Sequence, residues 1–183
     1  MNLRLDWCSY EAAKYAVEHW HYSRRMPKSK MVRVGAWENE KYIGCVIFSY
    51  GATPQIGSPY NLTQFEVCEL TRVALAEHET PTSRIVAGAI RMLRKQSPGI
   101  RLIVSFADGE QNHIGIIYQA TNWIYAGTTK PGRVGFVING IKRHTRTIGS
   151  MPGGIQSLLW VREHLDRDAT EWNGVEKYRY LFP

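Results

Sequence analysis

Thiols are scarce in this chain: 3 cysteines, Cys8, Cys45 and Cys68, occur in 183 residues, with no Cys-x-x-Cys pair among them. That spacing builds neither a disulfide framework nor a zinc cage, so a reducing, cytoplasmic setting is expected. Long apolar runs are missing too. None reaches the roughly 20 residues that a membrane-spanning helix needs, and the first residues lack the apolar stretch of a secretory leader. No membrane partner is expected. Acidic residues are the third shortage: 16 Asp and Glu stand against 23 Lys and Arg, for a net charge of +7 and an isoelectric point near 9.4. A surplus of that sign on a small domain suits a polyanion such as nucleic acid or an acidic membrane surface, although charge alone does not require one. No repeat, low-complexity tract or linker interrupts the chain, so residues 1–183 are read as a single domain.

What is present is an ordinary soluble composition, 44% hydrophobic and 21% charged, which is enough for one filled core. Leu3, Leu5 and Trp7 alternate with polar neighbours in a strand over residues 1–7. Ser9 caps a helix whose buried face carries Ala12, Ala13, Ala16, Val17 and Trp20, and Pro27 stops it. Strands over 31–37 and 42–50 form a hairpin through Glu38-Asn39-Glu40. A loop over 51–61 leads to a strand over 65–75. Thr80 as N-cap and Pro81 at the first position open a helix with Ile85, Val86, Ala89, Ile90 and Leu93 buried. The apolar run 101–106 reads as a central strand. Asn139-Gly140 joins strands over 134–138 and 141–148. A helix over 155–165 and an edge strand over 178–182 complete the order. The fold class is therefore mixed α/β (α+β): a central sheet flanked by helices, then a C-terminal hairpin and helix.

Three places carry chemistry. In Ser105-Phe106-Ala107-Asp108, a strand delivers a carboxylate to its carboxyl end, where ligands bind in open sheets; the same Asp108 also suits a helix cap. A short helix then ends in Tyr118, with Ile114 on the same face at i, i+4 spacing. That phenol is either a buried, satisfied hydroxyl or a general acid or metal ligand. In His19-Trp20-His21-Tyr22-Ser23-Arg24-Arg25-Met26-Pro27-Lys28-Ser29-Lys30, aromatics and histidines lie beside Arg24, Arg25, Lys28 and Lys30. This mixture suits phosphate contact with base stacking, or a helix end that simply faces water. In Ile141-Lys142-Arg143-His144-Thr145-Arg146, period two puts Lys142, His144 and Arg146 on one strand face. They could follow a phosphate backbone or guard a sheet edge.

The order strand, Asp108, helix, Tyr118, Asn122-Trp123, strand resembles the GNAT acyltransferases. That resemblance implies a mostly antiparallel sheet, split between two central parallel strands to admit acetyl-CoA, with Tyr118 protonating a leaving thiolate. The usual glycine-rich pyrophosphate loop is replaced by Ala76-Glu77-His78-Glu79-Thr80-Pro81-Thr82-Ser83-Arg84. A helix N-terminus at Thr82, Ser83 and Arg84 still offers amides and a dipole to phosphate, while Glu77 and Glu79 oppose it.

Three blocks together resemble a narrower family. His21-Tyr22-Ser23-Arg24-Arg25-Met26-Pro27, Cys68-Glu69-Leu70-Thr71-Arg72-Val73-Ala74-Leu75, and Ser105 to Asp108 with Tyr118-Gln119-Ala120 are similar to the Mom-type phage DNA-modification proteins. These are divergent GNAT-fold enzymes that convert adenine to N6-carbamoylmethyladenine. The resemblance implies that His21, Tyr22, Asp108 and Tyr118 form the active site and bind iron, with acetyl-CoA or a related donor near Arg72, Val73, Thr82, Ser83 and Arg84. It implies double-stranded DNA as partner, with adenine flipped out of the helix to stack on Trp20, Tyr22 or Tyr50 and the phosphates held by Arg24, Arg25, Lys28, Lys30, Lys142, His144 and Arg146. It leaves the oligomeric state open, a homodimer included. The competing readings are an ordinary N-acetyltransferase acting on a small molecule or peptide, and a non-catalytic nucleic-acid-binding protein.

Overall fold

The computed structural model describes residues 2–51, 53–111 and 113–183. Met1, Ala52 and Asn112 fall in the predicted first strand, the loop over 51–61 and the segment after Asp108, and lie outside it. In chain order the strands are β1 (Leu3–Trp7), β2 (Met31–Glu38), β3 (Lys41–Ser49), β4 (Val67–Leu75), β5 (Leu102–Asp108), β6 (Ile124–Thr128), β7 (Arg133–Ile138), β8 (Ile141–His144), β9 (Thr170–Asn173) and β10 (Lys177–Phe182). The helices are α1 (Tyr10–Trp20), α2 (Thr82–Gln96), α3 (Ile116–Gln119), α4 (Thr145–Gly149) and α5 (Leu158–His164). The chain gathers into two compact units.

The first unit comprises Met1–Ala107, His113–Gly127 and Tyr178–Pro183. Its sheet runs in the order β1-β2-β3-β4-β5-β10-β6. The β2–β3 hairpin closes through Asn39 and Glu40, both left-handed at φ 48° and 64°, the pair that a two-residue turn demands. β1 to β4 pair antiparallel, whereas β4 and β5 run parallel with α2 as the crossover. One sheet face carries α1, whose Ala13, Ala16 and Val17 pack on Cys45, Ile47 and Ala74. The other face carries α2, whose predicted stripe packs on Val34, Phe48, Leu70 and Ile103.

Two irregularities of β4 set the surroundings of Arg72 and Glu69. Its ladder with β5 covers only Val67↔Leu102, Cys68↔Ile103 and Glu69↔Val104, and stops there. Its register with β3 slips between Ile47↔Arg72 and Phe48↔Leu70, which makes Thr71 an extra residue. Strict alternation would put Leu70, Arg72 and Ala74 on one face. The bulge breaks it: Leu70 packs under α2, Ala74 packs under α1, and Arg72 joins Glu69 on the α1 side.

The second unit comprises Asp108–Asn112 and Thr128–Lys177. Its sheet has the order β8-β7-β9, around a core of Phe136, Ile138, Ile148, Val161 and Ala169. Asn139 and Gly140 form the predicted turn, at φ 49° and 74°.

Four expectations need correction. The strand over 141–148 ends at His144, because the His144 ring caps α4 by accepting the Arg146 amide. The final helix starts later, at Leu158 behind the Ser157 cap, and β9 comes after it unforeseen. β10 is no edge strand but lies between β5 and β6. Pro81 rather than Thr80 stands at the N-cap of α2, because the Thr80 amide and hydroxyl turn to Glu38.

Candidate active site

α1 ends where its last amide contact is made, His21 N–H to Val17 C=O at 3.3 Å. His21 is 8% exposed and stacks on Tyr22, with ring centroids 4.3 Å apart. Tyr22 in turn meets His113 edge-on at 5.7 Å. The Ser23 amide donates to His21 Nδ1 at 3.1 Å. An amide can only donate, so Nδ1 is bare and the neutral ring carries its proton on Nε2. Burial first, then the charges of Arg72 and His113, push the imidazole down to about 4. His21 is therefore uncharged at neutral pH.

Arg72 secures this loop. Its Nε and Nη2 donate to the Arg25 carbonyl at 3.2 and 3.1 Å, and its Nη1 donates to the Thr71 carbonyl at 2.6 Å. Burial lowers its affinity for its proton, and Tyr22 and Glu69 oppose that. Glu69 is within electrostatic reach of Arg72 and of Tyr118. Its carboxylate also lies against Gly51, where φ is 78° and an added Cβ would come within 2.8 Å of Oε2. Only glycine gives the chain that bend and that clearance.

Tyr118 approaches β4 from the α2 side. The Ser105 hydroxyl lies 2.8 Å from both the Leu70 carbonyl and the Tyr118 hydroxyl. A carbonyl only accepts, so the single Ser105 proton goes to Leu70, and Tyr118 donates to Ser105. Burial, with the charge of Glu69 adding to it, raises the phenol above its usual range. The phenol is buried and hydrogen-bonded, and packs against Trp123 and Tyr180. The proposed i, i+4 pair is absent, since α3 begins only at Ile116 and Ile114 is exposed.

Asp108 belongs to the second unit, whereas His21, Tyr22 and Tyr118 belong to the first. It accepts the Glu110 amide at 3.1 Å, as the cap of a short 3-10 turn over Gly109–Gln111, and pairs with Lys177 at 3.7 Å. Iron does not fit the donors seen. Among the described residues no three His, Cys, Asp or Glu side chains gather around a common point. A metal also needs a bare nitrogen, and His21 keeps its proton on Nε2 while its Nδ1 is occupied.

Of the residues expected at the donor, Arg72 serves the loop and Val73 packs against the α2 core. The Thr82 hydroxyl lies 3.1 Å from His78 Nε2. Ser83 is half-buried and Arg84 exposed. Among the residues expected on DNA, Arg24, Arg25, Lys28 and Lys30 are all exposed or half-exposed. No acidic residue occurs from His19 to Trp37, so the charges of this stretch of chain are all cationic. In the second unit Lys142 lies 4.9 Å over the Trp172 ring, and His144 is held low by burial and Arg146 while it caps α4. Arg146 sits in that helix, so the three do not form a strand face.

Sequence reasoning missed Glu69, Ser105 and His113. Glu69 and Ser105 lie inside two of the three family-like blocks. Their role depends on the bulge at Thr71 and the halted β4–β5 ladder, neither of which leaves a periodicity signal. His113 sits in a loop and had no partner within sequence reach.

Comparison with known proteins gives one family and one fold. The family model described as the Mom protein family matches residues 2–183. The methylcarbamoylase mom of Escherichia phage Mu is 24% identical over 184 residues, covering 98% of this chain and 75% of its own. Among solved structures, aminoglycoside acetyltransferase AAC(6')-Ib in complex with coenzyme A superposes with a TM-score of 0.53 at 10% identity, over 70% of this chain and 87% of that one. Aminoglycoside 6'-acetyltransferase type Ii gives 0.50 at 12% identity, over 98% and 96%. These likenesses establish a GNAT-like fold, a large and mostly antiparallel sheet flanked by helices.

Proposed function

Because this chain belongs to the Mom protein family, we propose that it is a DNA-modifying transferase that carbamoylmethylates the exocyclic amine of adenine in double-stranded DNA. The observation that carries the reading is the joint position of the His21–Tyr22–Arg72 cluster and the acid-free cationic loop. The two occupy one stretch of chain, pinned by Arg72 to the strand that bears Glu69.

Adenine N6 is paired inside the duplex, so the base must leave the stack to react. Arg24, Arg25, Lys28 and Lys30 take the phosphates, and the half-exposed Tyr22 offers a ring for the base to stack on. Trp20 and Tyr50 are the other candidate rings. His21 presents Nε2–H as a neutral donor and holds Tyr22 in place by stacking. When the amine attacks, its proton must go to a base, and we assign that role to Glu69, the carboxylate facing Arg72. Tyr118 and Ser105 brace β5 against Leu70 where the ladder with β4 stops. Asp108 caps the turn after β5. A coenzyme A thioester is the donor class suggested by the fold neighbours. Joining its α-carbon to N6 would take one hydrogen from each and pass two electrons to an oxidant, and ammonia displacing the thiol would leave the carbamoyl group. The setting is the cytoplasm of an infected host cell.

Nucleoside mass spectrometry of plasmid DNA from cells expressing the chain tests this. A deoxyadenosine heavier by one carbamoylmethyl group supports it, and DNA with only unmodified adenine beside folded, soluble protein refutes it. An acetylated small amine instead points to an ordinary N-acetyltransferase.

A further inference from the structure

Where the fold neighbours would be expected to hold the diphosphate of coenzyme A, this chain has placed a carboxylate of its own. Glu38, the last residue of β2, is 9% exposed. Its Oε2 accepts the Glu79 amide at 3.0 Å, and its Oε1 accepts the Thr80 amide at 2.8 Å and the Thr80 hydroxyl at 2.5 Å. Both oxygens are engaged just before α2, on amides in the middle of the segment that replaces the glycine-rich loop. A phosphate would use such amides in the same way.

Part of the rest is committed too, which leaves the Thr82 and Ser83 amides at the head of α2. Pro81 has no N–H, and the Arg84 amide donates to the Pro81 carbonyl at 2.9 Å. His78 Nδ1 donates to the Ala76 carbonyl at 2.7 Å, which leaves Nε2 to accept the Thr82 hydroxyl. No glycine occurs between Ala76 and Ala87, so side chains stand where close approach of a phosphate to backbone would be needed. Glu38, Glu77 and Glu79 place three carboxylates in or against this segment, and like charge opposes a diphosphate. The hydrogen bond from the Glu79 amide, first, and those from Thr80 hold the Glu38 carboxyl at about 2, so it stays charged at working pH.

We infer that Glu38 is an internal anion standing in for the donor's diphosphate, so this chain selects its donor without a nucleotide grip and binds a thioester carrier through its thiol arm alone. This rests on the proposed transferase reading for the thioester, and on the Glu38 geometry for the rest.

Calorimetric titration of the full chain with coenzyme A, pantetheine and adenosine 3′,5′-bisphosphate tests it. Coenzyme A and pantetheine are expected to bind within about threefold of each other, with no competition from the bisphosphate. Coenzyme A binding more than about thirtyfold tighter than pantetheine, or competition by the bisphosphate, overturns the inference. If neither thiol binds, thiol-arm binding and the thioester donor are both overturned, and the pyrophosphate arm alone decides the role of Glu38, which separates the two claims. As a second arm, inorganic pyrophosphate is added during thermal unfolding at matched ionic strength. It should raise the melting temperature of Glu38→Ala, whose amides are uncovered, and leave the native chain unchanged. An equal response in both overturns the inference. If Glu38→Ala does not fold, Glu38→Gln is read instead, and its response must exceed that of the native chain.

Discussion

Acidification should destabilise the first unit through one side chain, His21. Its ring is buried and held neutral, with its proton affinity lowered from 6.5 to about 4 by burial first and by the charges of Arg72 and His113. A lowered folded-state value means that the unfolded chain binds the proton more readily. Stability is then complete above pH 6.5, falls as pH drops toward 4, and levels off below it. The interval corresponds to about 3 kcal/mol, and screening of the Arg72 and His113 contributions near the surface trims it to about 2 kcal/mol. His21→Asn removes the titration while its Oδ1 can still accept the Ser23 amide. Urea unfolding of both proteins between about pH 7.5 and pH 4.5 measures the difference, and the histidines other than His113 cancel in the comparison. The native chain should lose about 2 kcal/mol more than His21→Asn across that range. Parallel curves, or an imidazole that titrates near 6.5 by NMR, would refute the reasoning.

Individual contacts carry further expectations. Arg72→Lys cannot reproduce the two-pronged contact with the Arg25 carbonyl, so it should cost about 1 kcal/mol and speed proteolysis within residues 21–30. Tyr118→Phe removes a buried hydrogen bond to Ser105, worth about 1 kcal/mol, and should lower activity by less than about tenfold; a larger loss at unchanged fold would make the phenol the general acid. Ile85→Ala opens a cavity in the α2 core and should cost about 2–5 kcal/mol in chemical denaturation. Replacing Lys28 by Glu should weaken DNA binding and flatten its salt dependence by about one unit of slope or more, whereas Lys142→Glu should have a smaller effect, since Lys142 lies over Trp172.

The core of the fold was legible because its signals are local. The α2 stripe, the Ser9 cap and both hairpin turns come from spacing and turn chemistry, and each appears as read. The errors arise where a distant group overrules a local preference. Thr80 looks like a cap from sequence, but Glu38, 42 residues away, takes its amide and hydroxyl. His144 looks like a strand cation until its ring caps α4. β10 alternates as an edge strand does, yet it is placed inside the sheet, and the pattern cannot say which neighbours it will find. The candidate site divides in the same way. The blocks singled out His21, Tyr22, Asp108 and Tyr118 with Arg72 in support, and of these His21, Tyr22 and Arg72 lie together while Asp108 belongs to the other unit. Glu69 became a partner of Arg72 only because the bulge at Thr71 turns the arginine to its side.

The decisive comparison sets DNA from cells expressing the native chain against DNA from cells expressing Glu69→Gln, nucleoside by nucleoside. The native chain should yield carbamoylmethylated deoxyadenosine, and Glu69→Gln at least about a hundredfold less at equal soluble protein, the size of effect expected when a general base is lost. Equal modification by both would remove Glu69 from the chemistry, and unmodified adenine with the folded native chain would contradict the proposed DNA-modifying activity as a whole.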